Sequence, residues 1–250
     1  MVRTPEGEPV RTAAVVAIGD ELLSGKVRDT NVAWLIEQLR ALGTPLCEVR
    51  VIGDRLEQIA RTFADLAPRH DHVFSSGGVG PTHDDRTLEG IARAFGLPLE
   101  RNERLAALIR EFYGDRTNEA LLRMADLPRG AQLIEAPGLP IPVVQVRNVI
   151  VLPGEPTIFR RKFDAIRERF RQRPVVVRRL YLDLDEGPIA ERLEALQRRF
   201  PEVAIGSYPR YSGVDYRVLV TLESRDPEAV ERAVAALREA LGAQHVLREA

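Results

Sequence analysis

Cysteine, lysine and long apolar runs are scarce in this sequence of 250 residues. The single cysteine, Cys47, excludes a disulfide framework or a cysteine zinc site within one chain. It lies between the apolar residues Leu46 and Val49, which predicts a buried structural thiol. No run approaches the ~20 apolar residues that cross a bilayer, and the polar start, residues 1–9, has no signal-peptide core. We therefore expect a soluble, cytoplasmic protein without a membrane partner.

The overall charge bears on a further class of partner, nucleic acid, with a local basic patch as the open alternative. The formal net charge is −1, so no global attraction to nucleic acid is expected, and we predict no nucleic-acid partner. Only Lys26 and Lys162 are lysines, and arginine supplies the other cations, which we interpret as a compositional bias without functional content. The basic run Arg160, Arg161 and Lys162 is typical of a solvated helix face.

Three strand-then-helix units follow the polar start. Residues 13–18 form a continuous apolar run, as in a parallel strand that is covered on both faces. Apolar residues then recur at helical spacing, with Asp29 as a candidate cap, and the pattern repeats twice. The predicted strands are 13–18, 46–52 and 72–75, and the predicted helices are 31–40, 56–66 and 88–95. Three such units predict right-handed crossovers and a doubly wound, three-layer α/β sheet.

The remainder of the chain predicts a second, smaller domain. Residues 102–124 are helical in pattern, with an interruption near Gly114, and 132–151 are typical of edge strands and loops. Beyond Pro174 the order is strand, helix, strand, strand, helix, with Val246 in a further strand, which suits a small split βαβ domain of the α+β class. We predict two domains, 13–172 and 175–250.

Every predicted strand of the first domain ends in glycine beside an acidic residue. These ends are Gly19-Asp20-Glu21, Gly53-Asp54, and the cluster from Gly77 to Asp85. Ligands of open α/β sheets bind at the carboxyl ends of the strands, where helix N-termini expose N–H groups. Because parallel strands bring their carboxyl ends to one rim, we predict a single ligand site there.

The same rim predicts a phosphate together with a metal. Glycines let backbone N–H groups approach phosphate closely, yet each nearby carboxylate would repel a bare phosphate by roughly a kcal/mol. A divalent cation resolves this conflict, because hard cations prefer carboxylate and phosphate oxygens. The candidates are Asp20, Asp54, Asp84 and Asp85. The alternative is that these acids only cap helices and close turns, with Asp84 or Asp85 opening the third helix.

Other polar residues of the rim are candidate ligand contacts. The predicted set from the glycine cluster is Gly77, Gly78, Gly80, Pro81, Thr82 and His83. His83 is either a metal or phosphate contact or a local hydrogen-bonding residue. Thr30 and Asn31 either contact a ligand or cap their helix.

Two well-known phosphate-binding motifs are not present. The stretch from Gly19 to Lys26 does not have the spacing of a P-loop, and the glycine cluster lacks the third glycine of a dinucleotide fingerprint, which argues against a nicotinamide-dependent dehydrogenase.

Five motifs in order carry a family resemblance. They are Gly19–Gly25, Asp29-Thr30-Asn31, Gly53-Asp54, Gly77–Asp85 and Leu152–Pro156. Together they resemble the molybdopterin-binding-like domain of the competence/damage-inducible CinA family, over about residues 13–171. The segments 205–209 and 216–224 are similar to the second part of the corresponding region in eukaryotic bifunctional FAD synthases.

The resemblance implies a doubly wound domain shared with molybdopterin adenylyltransferases. It also implies hydrolysis of the pyrophosphate of ADP-ribose or FAD with magnesium, manganese or cobalt, with potassium as a further candidate cation. By motif, Asp54 and Asp85 match functionally important aspartates, and Pro153 and Gly154 join the predicted ligand-binding residues. Self-association is implied as well, with a dimer favoured over a trimer. The deamidase and synthetase activities of longer family members are not expected of these residues.

The leading hypothesis is therefore a metal-dependent nucleotide pyrophosphatase. Asp85, Asp54 and Asp84 are its predicted catalytic residues, and Asp20, Asp84 and Asp85 its predicted metal ligands. A module that binds a pterin or nucleotide without turnover, and adenylyl transfer to molybdopterin, are the alternatives. One departure from the family pattern, residues 135–142, predicts an altered far wall of the pocket.

Overall fold

A computed structural model describes residues 9–212 and 215–250, and the polar start, residues 1–8, lies outside this range. The chain divides into two compact units, one formed by residues 11–172 and the other by residues 173–250 together with residues 9 and 10. The strands of the first unit are β1 (Ala13–Ile18), β2 (Leu46–Ile52), β3 (His72–Ser76), β4 (Leu99–Arg101), β5 (Asp126–Pro128), β6 (Gln132–Ile134), β7 (Val143–Val146) and β8 (Val149–Leu152). Its helices are α1 (Asp20–Leu23), α2 (Asn31–Ala41), α3 (Leu56–Leu66), α4 (Thr87–Phe95), α5 (Glu103–Tyr113), α6 (Glu119–Arg123) and α7 (Pro156–Ile166).

The main sheet confirms the doubly wound fold. Its six strands lie in the order β2-β1-β3-β8-β7-β6. The first four are parallel to one another, β7 pairs antiparallel with β8, and β6 pairs antiparallel with β7. The expectation of edge strands and loops over 132–151 is wrong for β8, which lies between β3 and β7 and is buried along its length. Its unbroken Val-Ile-Val-Leu run is the pattern of a strand with both faces covered.

Helices cover the sheet on both faces, and β1 at its centre shows the consequence. All six of its residues are buried. Ala13, Val15 and Ala17 pack into one cluster with the apolar faces of α2 and α7, whereas Ala14, Val16 and Ile18 pack into another with α3, α4 and α5. A strand with helices on both sides has no polar face, which explains its continuous apolar sequence.

The second unit forms a separate four-stranded sheet. Its elements are β9 (Val176–Leu182), α8 (Glu186–Arg199), β10 (Ala204–Pro209), β11 (Val218–Ser224), α9 (Pro227–Leu241) and β12 (Val246–Glu249). The strand order β10-β11-β9-β12 is antiparallel throughout, and apolar residues of α8 and α9 pack with the sheet in one core. The predicted small α+β domain and the strand at Val246 are both confirmed.

Edge position decides the environment of the single cysteine. The prediction that Cys47 is buried is wrong, because its thiol is exposed. Strand β2 is the outermost strand of the main sheet, and Val49 and Val51 on the same face of β2 are exposed as well. The apolar neighbours of Cys47 in the sequence therefore do not place it on a buried face of the sheet.

Within the described parts of the chain, none of the helices has the length and apolar character needed to cross a membrane.

Candidate functional site

The carboxyl ends of four parallel strands meet at one rim. These strands, β2, β1, β3 and β8, run into Gly53-Asp54, Gly19, Gly77 and Pro153-Gly154 respectively. The chain passes from β1 to β2 on one side and then to β3 on the other, so the winding direction changes between β1 and β3. Such a switch point opens a crevice where ligands of open α/β sheets bind. The structure therefore brings together the predicted strand ends and adds a fourth.

The glycine loop after β3 is held in a shape that requires glycine. Gly77 and Gly78 have φ angles of 106° and 64°, which side chains rarely adopt. A Cβ on Gly77 would collide with the carbonyl oxygen of Ile18, and one on Gly78 would collide with Oγ1 of Thr87. Thr87 is fully buried, and its hydroxyl donates to the Gly77 carbonyl at 2.9 Å. The start of α4 thus fixes the loop.

Asn31 joins two of the strand ends. Its side chain is buried, and Nδ2 donates to Oγ of Ser76 at 3.0 Å and to the carbonyl of Gly154 at 2.9 Å. Its amide therefore positions the rim. The neighbouring Thr30 is exposed and makes no side-chain cap, because Oδ1 of Asp29 accepts the N–H in the first turn of α2 at 2.9 Å.

Asp85 closes a turn of the glycine loop and does not cap a helix. The prediction that Asp84 or Asp85 opens the third helix is wrong, because α4 begins at Thr87 and neither carboxylate caps it. Oδ2 of Asp85 instead accepts the N–H of Thr82 at 2.9 Å and its hydroxyl at 2.5 Å. A Cβ on Gly80 would stand 2.7 Å from the same oxygen. This tight turn holds the carboxylate against the glycine loop.

Asp54 lies within electrostatic range of three other carboxylates. Its Oδ2 accepts the backbone N–H of Asp20 at 2.8 Å. Burial raises the pKa of the Asp54 carboxyl, the Asp20 N–H opposes that change, and the negative charges of Glu21, Asp20 and Asp84 raise the pKa again. Like charges gathered in this way favour a proton or a cation between them.

The donor set at the rim fits a hard divalent cation that also binds ligand oxygens. No three histidine, cysteine or acidic side chains come together as a metal cage in residues 9–212 and 215–250. Magnesium characteristically uses only one or two carboxylates and completes its octahedron with water and phosphate oxygens. Asp85 beside the glycine loop, and the acids around Asp54, offer donors of this kind.

A cavity of about 600 Å³ opens from the rim. The predicted site residues on its wall are Glu21, Gly77, Gly78, Gly80, Pro81, Asp85, Pro153 and Gly154. Thr82 and His83 line an adjoining depression that shares Asp85, and the His83 side chain is 98% exposed. The residues outside both walls are Gly19, Asp20, Thr30, Asn31, Asp54 and Asp84.

The far side of the cavity is apolar and was missed by sequence reasoning. Helix α5 contributes Leu105, Ile109, Phe112 and Tyr113 to this wall. Phe112 is 47% exposed. It recurs at helical spacing after Leu105 and Ile109, and this spacing is the sequence signal that could have assigned it to the same wall. Residues 139–142, within the stretch that departs from the family pattern, form the opposite wall.

Lys162 corrects the interpretation of the basic run on α7. It is partly buried on the cavity wall, and Nζ donates to the Pro142 carbonyl at 2.7 Å. Burial lowers the pKa of the Lys162 ammonium to about 8. One turn of helix separates it from Ile158, so the two share the face of α7 that lines the cavity. The predicted solvated face is therefore wrong for Lys162, whereas Arg160 is exposed.

Replacing Lys162 with methionine is expected to raise the free energy of unfolding at pH 7. A pKa lowered from 10.5 to about 8 corresponds to about 3 kcal/mol, from which the lost hydrogen bond subtracts about 1. Below pH 8 both the folded and the unfolded chain carry the charge, and the folded chain bears the full cost of desolvation. The cost declines as the pH rises from 8 to 10.5, so the gain in the variant declines too.

Urea unfolding followed by the fluorescence of Trp34, which lies in the same unit, measures this difference at each pH. The other ionisable groups of the cavity wall are present in both proteins, so their contributions to the difference in free energy of unfolding cancel to first order. These groups are Glu21, Asp85, Tyr113, Glu155 and Arg161. A lower free energy of unfolding in the variant at pH 7 would show that Lys162 serves the fold.

Fold and site together define a class of protein: a doubly wound α/β domain that presents a glycine and aspartate rim to a small-molecule cavity. Residues 14–172 match the family described as "Probable molybdopterin binding domain", and residues 174–250 match "FAD synthase, middle domain". The chain belongs to the molybdopterin-binding domain family, in its CinA-like group. The resemblance carried by the five motifs is thereby confirmed.

Relatives of this chain include proteins with FAD synthase names and proteins with CinA names. A Caenorhabditis elegans protein named "Probable FAD synthase" is 33% identical over 99% of this chain and 53% of its own length. A CinA-like protein from Frankia casuarinae is 35% identical over 92% of this chain and 59% of its own length. The crystal structure of CinA from Thermoplasma acidophilum, of unknown function, is 32% identical with a TM-score of 0.59, over 65% of this chain and 100% of that one. The chain thus spans about half the length of the FAD synthase relative.

Proposed function

We propose that this chain binds a nucleotide in the cavity and hydrolyses its pyrophosphate bond with the help of a divalent cation. The observation that carries the proposal is the continuity of two surfaces in one cavity of about 600 Å³. The glycine loop and Asp85 line one end of it, and the apolar residues of α5 line the other. A phosphate group at one end and a planar ring at the other match this division.

The glycine loop supports the phosphate end of the ligand. Gly77 and Gly78 have no side chains to block the approach of phosphate oxygens to the backbone, and Thr87 holds their conformation. Fixed backbone N–H groups stabilise charge that develops on phosphoryl oxygens without reorganising during the reaction. The loop therefore orients the pyrophosphate and accounts for binding independently of the cation.

The acidic residues support the metal part of the proposal. Asp85 is the first candidate ligand, with Asp84, Asp20 and Asp54 as further candidates, directly or through water. A bound cation would neutralise phosphate charge and activate a water for attack on phosphorus. The carboxylate of Asp85 is oriented before any ligand arrives, because Thr82 donates two hydrogen bonds to one of its oxygens. ADP-ribose and FAD are the proposed substrates, the latter in keeping with the name of the C. elegans relative.

Incubation with a nucleotide pyrophosphate tests the reaction. With ADP-ribose or FAD and magnesium, manganese or cobalt, we expect chromatography to detect AMP and the second monophosphate in equal amounts. Chelation of the metal by EDTA should abolish the products, and potassium is varied as a separate condition. The absence of AMP with every metal and both substrates would refute hydrolysis.

Binding without turnover is the second candidate function. It is favoured by one observation, that two of the predicted catalytic residues, Asp54 and Asp84, lie outside the walls of the cavity and of the adjoining depression. Under this alternative, AMP or FAD raises the melting temperature of the protein while the same samples release no product. Stabilisation together with AMP release supports the enzyme instead.

A further inference from the structure

Two consecutive cations of α7, Arg161 and Lys162, lie on the cavity wall. Both donate to backbone carbonyls of the loop 138–142. Nη2 of Arg161 donates to Gly138, and Nζ of Lys162 donates to Pro142 at 2.7 Å. Among the residues that the structure describes, neither side chain forms an ion pair with a carboxylate. This part of the protein therefore leaves both charges uncompensated.

The hydrogen bond to Pro142 does not explain why position 162 is charged. A neutral donor such as glutamine could also bind that carbonyl, and it would not bear the cost of moving a charge out of water. That cost is real for Lys162, because burial lowers the pKa of its ammonium to about 8. An ammonium group has three N–H donors, of which the Pro142 carbonyl takes one. The charge and the other donors are suited to an anionic ligand group.

The charged groups of the cavity divide by sign along α7. The acidic residues on the wall are Glu21, Asp85 and Glu155. Glu155 caps the start of α7, and Lys162 is seven residues further on, a rise of about 10 Å along the helix axis. Long side chains of a helix point back towards its N-terminus, so we expect the ammonium on the rim side of its own Cα. A ligand held at the rim is therefore within reach of this cation.

We propose that Lys162 binds the second phosphoryl group of the substrate's pyrophosphate, the one that the glycine loop does not hold, and stabilises it as the leaving group. This inference rests on the proposed function, because it adds a second contact to the pyrophosphate of the same ligand. ADP-ribose and FAD both contain this group, so the inference applies to both substrates. It makes the cavity selective for diphosphates over monophosphates.

The chemistry of the cleavage gives a cation at this place a role. A water attacks the phosphorus at the glycine loop, the bond from this phosphorus to the bridging oxygen breaks, and the bridging oxygen keeps the electron pair. The second phosphoryl leaves as a monophosphate with one more negative charge, and the attacking water loses a proton to solvent. An ammonium group beside it neutralises that charge as it develops. Because the Pro142 carbonyl already holds Nζ, little reorganisation is needed.

AMP and ADP test the contact by binding alone. The two nucleotides differ only in the second phosphoryl group, and EDTA in the samples removes any metal that could hold it. In calorimetric titrations we expect the wild-type chain to bind ADP about tenfold more tightly than AMP. Lys162→Met should lose this preference, with the affinity for AMP changed by less than about twofold, whereas Lys162→Arg should retain it.

Two further variants separate the charge from other roles of α7. Lys162→Gln keeps a hydrogen-bond donor for the loop but has no charge, so it should lose the preference for ADP as Lys162→Met does. Arg160→Met removes an exposed cation of the same helix outside the cavity wall and should leave both affinities unchanged. Thermal melts confirm that each variant is folded.

Turnover measures the effect on the leaving group. With ADP-ribose and a divalent cation, kcat/KM of Lys162→Met should fall by about a hundredfold, which exceeds the expected loss of binding. The excess should appear as a decrease in kcat of about tenfold, because the leaving phosphoryl gains charge only as the bond breaks. Arg160→Met should hydrolyse ADP-ribose at the wild-type rate.

Three results would overturn the inference and leave the proposed function standing. The first is equal affinity of the wild-type chain for AMP and ADP. The second is an equal loss for both nucleotides in Lys162→Met, which would show that the lysine shapes the cavity and does not contact the second phosphoryl. The third is a full preference for ADP in Lys162→Met. If the wild-type chain binds neither nucleotide and releases no AMP from ADP-ribose, the proposed function fails as well.

Discussion

Replacing Asp85 with asparagine is expected to lower kcat/KM for ADP-ribose hydrolysis by about a thousandfold, equivalent to about 4 kcal/mol of transition-state stabilisation. Asparagine keeps the size of the side chain and an oxygen that can accept the two hydrogen bonds from Thr82. The change therefore removes the negative charge while the turn is preserved. The affinity for Mn²⁺ in the presence of AMP should fall in parallel.

Thr82→Val is the matched control for this variant. It removes the hydroxyl that donates to Asp85 at 2.5 Å and leaves the carboxylate and the backbone hydrogen bond in place. A loss of less than about tenfold is expected, because the orientation of the carboxylate is weakened but its charge remains. Unchanged turnover and Mn²⁺ affinity in Asp85→Asn would remove Asp85 from the site.

Gly78→Ala is expected to reduce the free energy of unfolding of the first unit by about 3 kcal/mol. The left-handed backbone at φ 64° accounts for about 1 kcal/mol, since a Cβ is disfavoured there. The rest, about 2 kcal/mol, comes from displacing the buried hydroxyl of Thr87 and breaking its hydrogen bond to the Gly77 carbonyl. Affinity for AMP should fall at least tenfold, because the loop can no longer hold its shape.

Gly96→Ala provides a control with the same backbone angle. Gly96 also has φ 64°, but a Cβ there meets nothing within 4 Å. The free energy of unfolding of Gly96→Ala should fall only by the backbone contribution of about 1 kcal/mol, and the variant should bind AMP with wild-type affinity. Urea unfolding followed by Trp34 fluorescence compares the two variants. Equal losses of stability would show that the contact between Gly78 and Thr87 is unimportant.

For the stretch from Gly77 to Asp85, the sequence predicted the position of the rim but not the role of each acidic residue. Glycines and acids after an apolar strand predicted a ligand rim, and the parallel order of the strands brings their ends together. Whether each acid caps a helix or faces a ligand could not be read from spacing. That distinction depends on where α4 begins, and it begins two residues beyond Asp85 because Thr87 is bound to the glycine loop.

Residues far apart in sequence build the other half of the cavity. Helix α5, the loop 139–142 and α7 meet only after the sheet has assembled, so their shared wall leaves no local pattern. Lys162 illustrates this point. As part of a basic run it has the pattern of a solvated helix face, yet the turn of α7 and the nearby Pro142 carbonyl bring it to the cavity.

The sequence by itself determined the doubly wound sheet, the small α+β unit, the family and the position of the rim, because apolar periodicity and strand-end glycines are local properties. Tertiary structure alone decided three things: that β8 is an interior strand, that Cys47 on the edge is exposed, and that Lys162 lines the cavity. Burial depends on which element packs alongside. The apolar periodicity of each helix or strand is present in its own sequence. The elements that pack against it are determined only when distant segments of the chain come together.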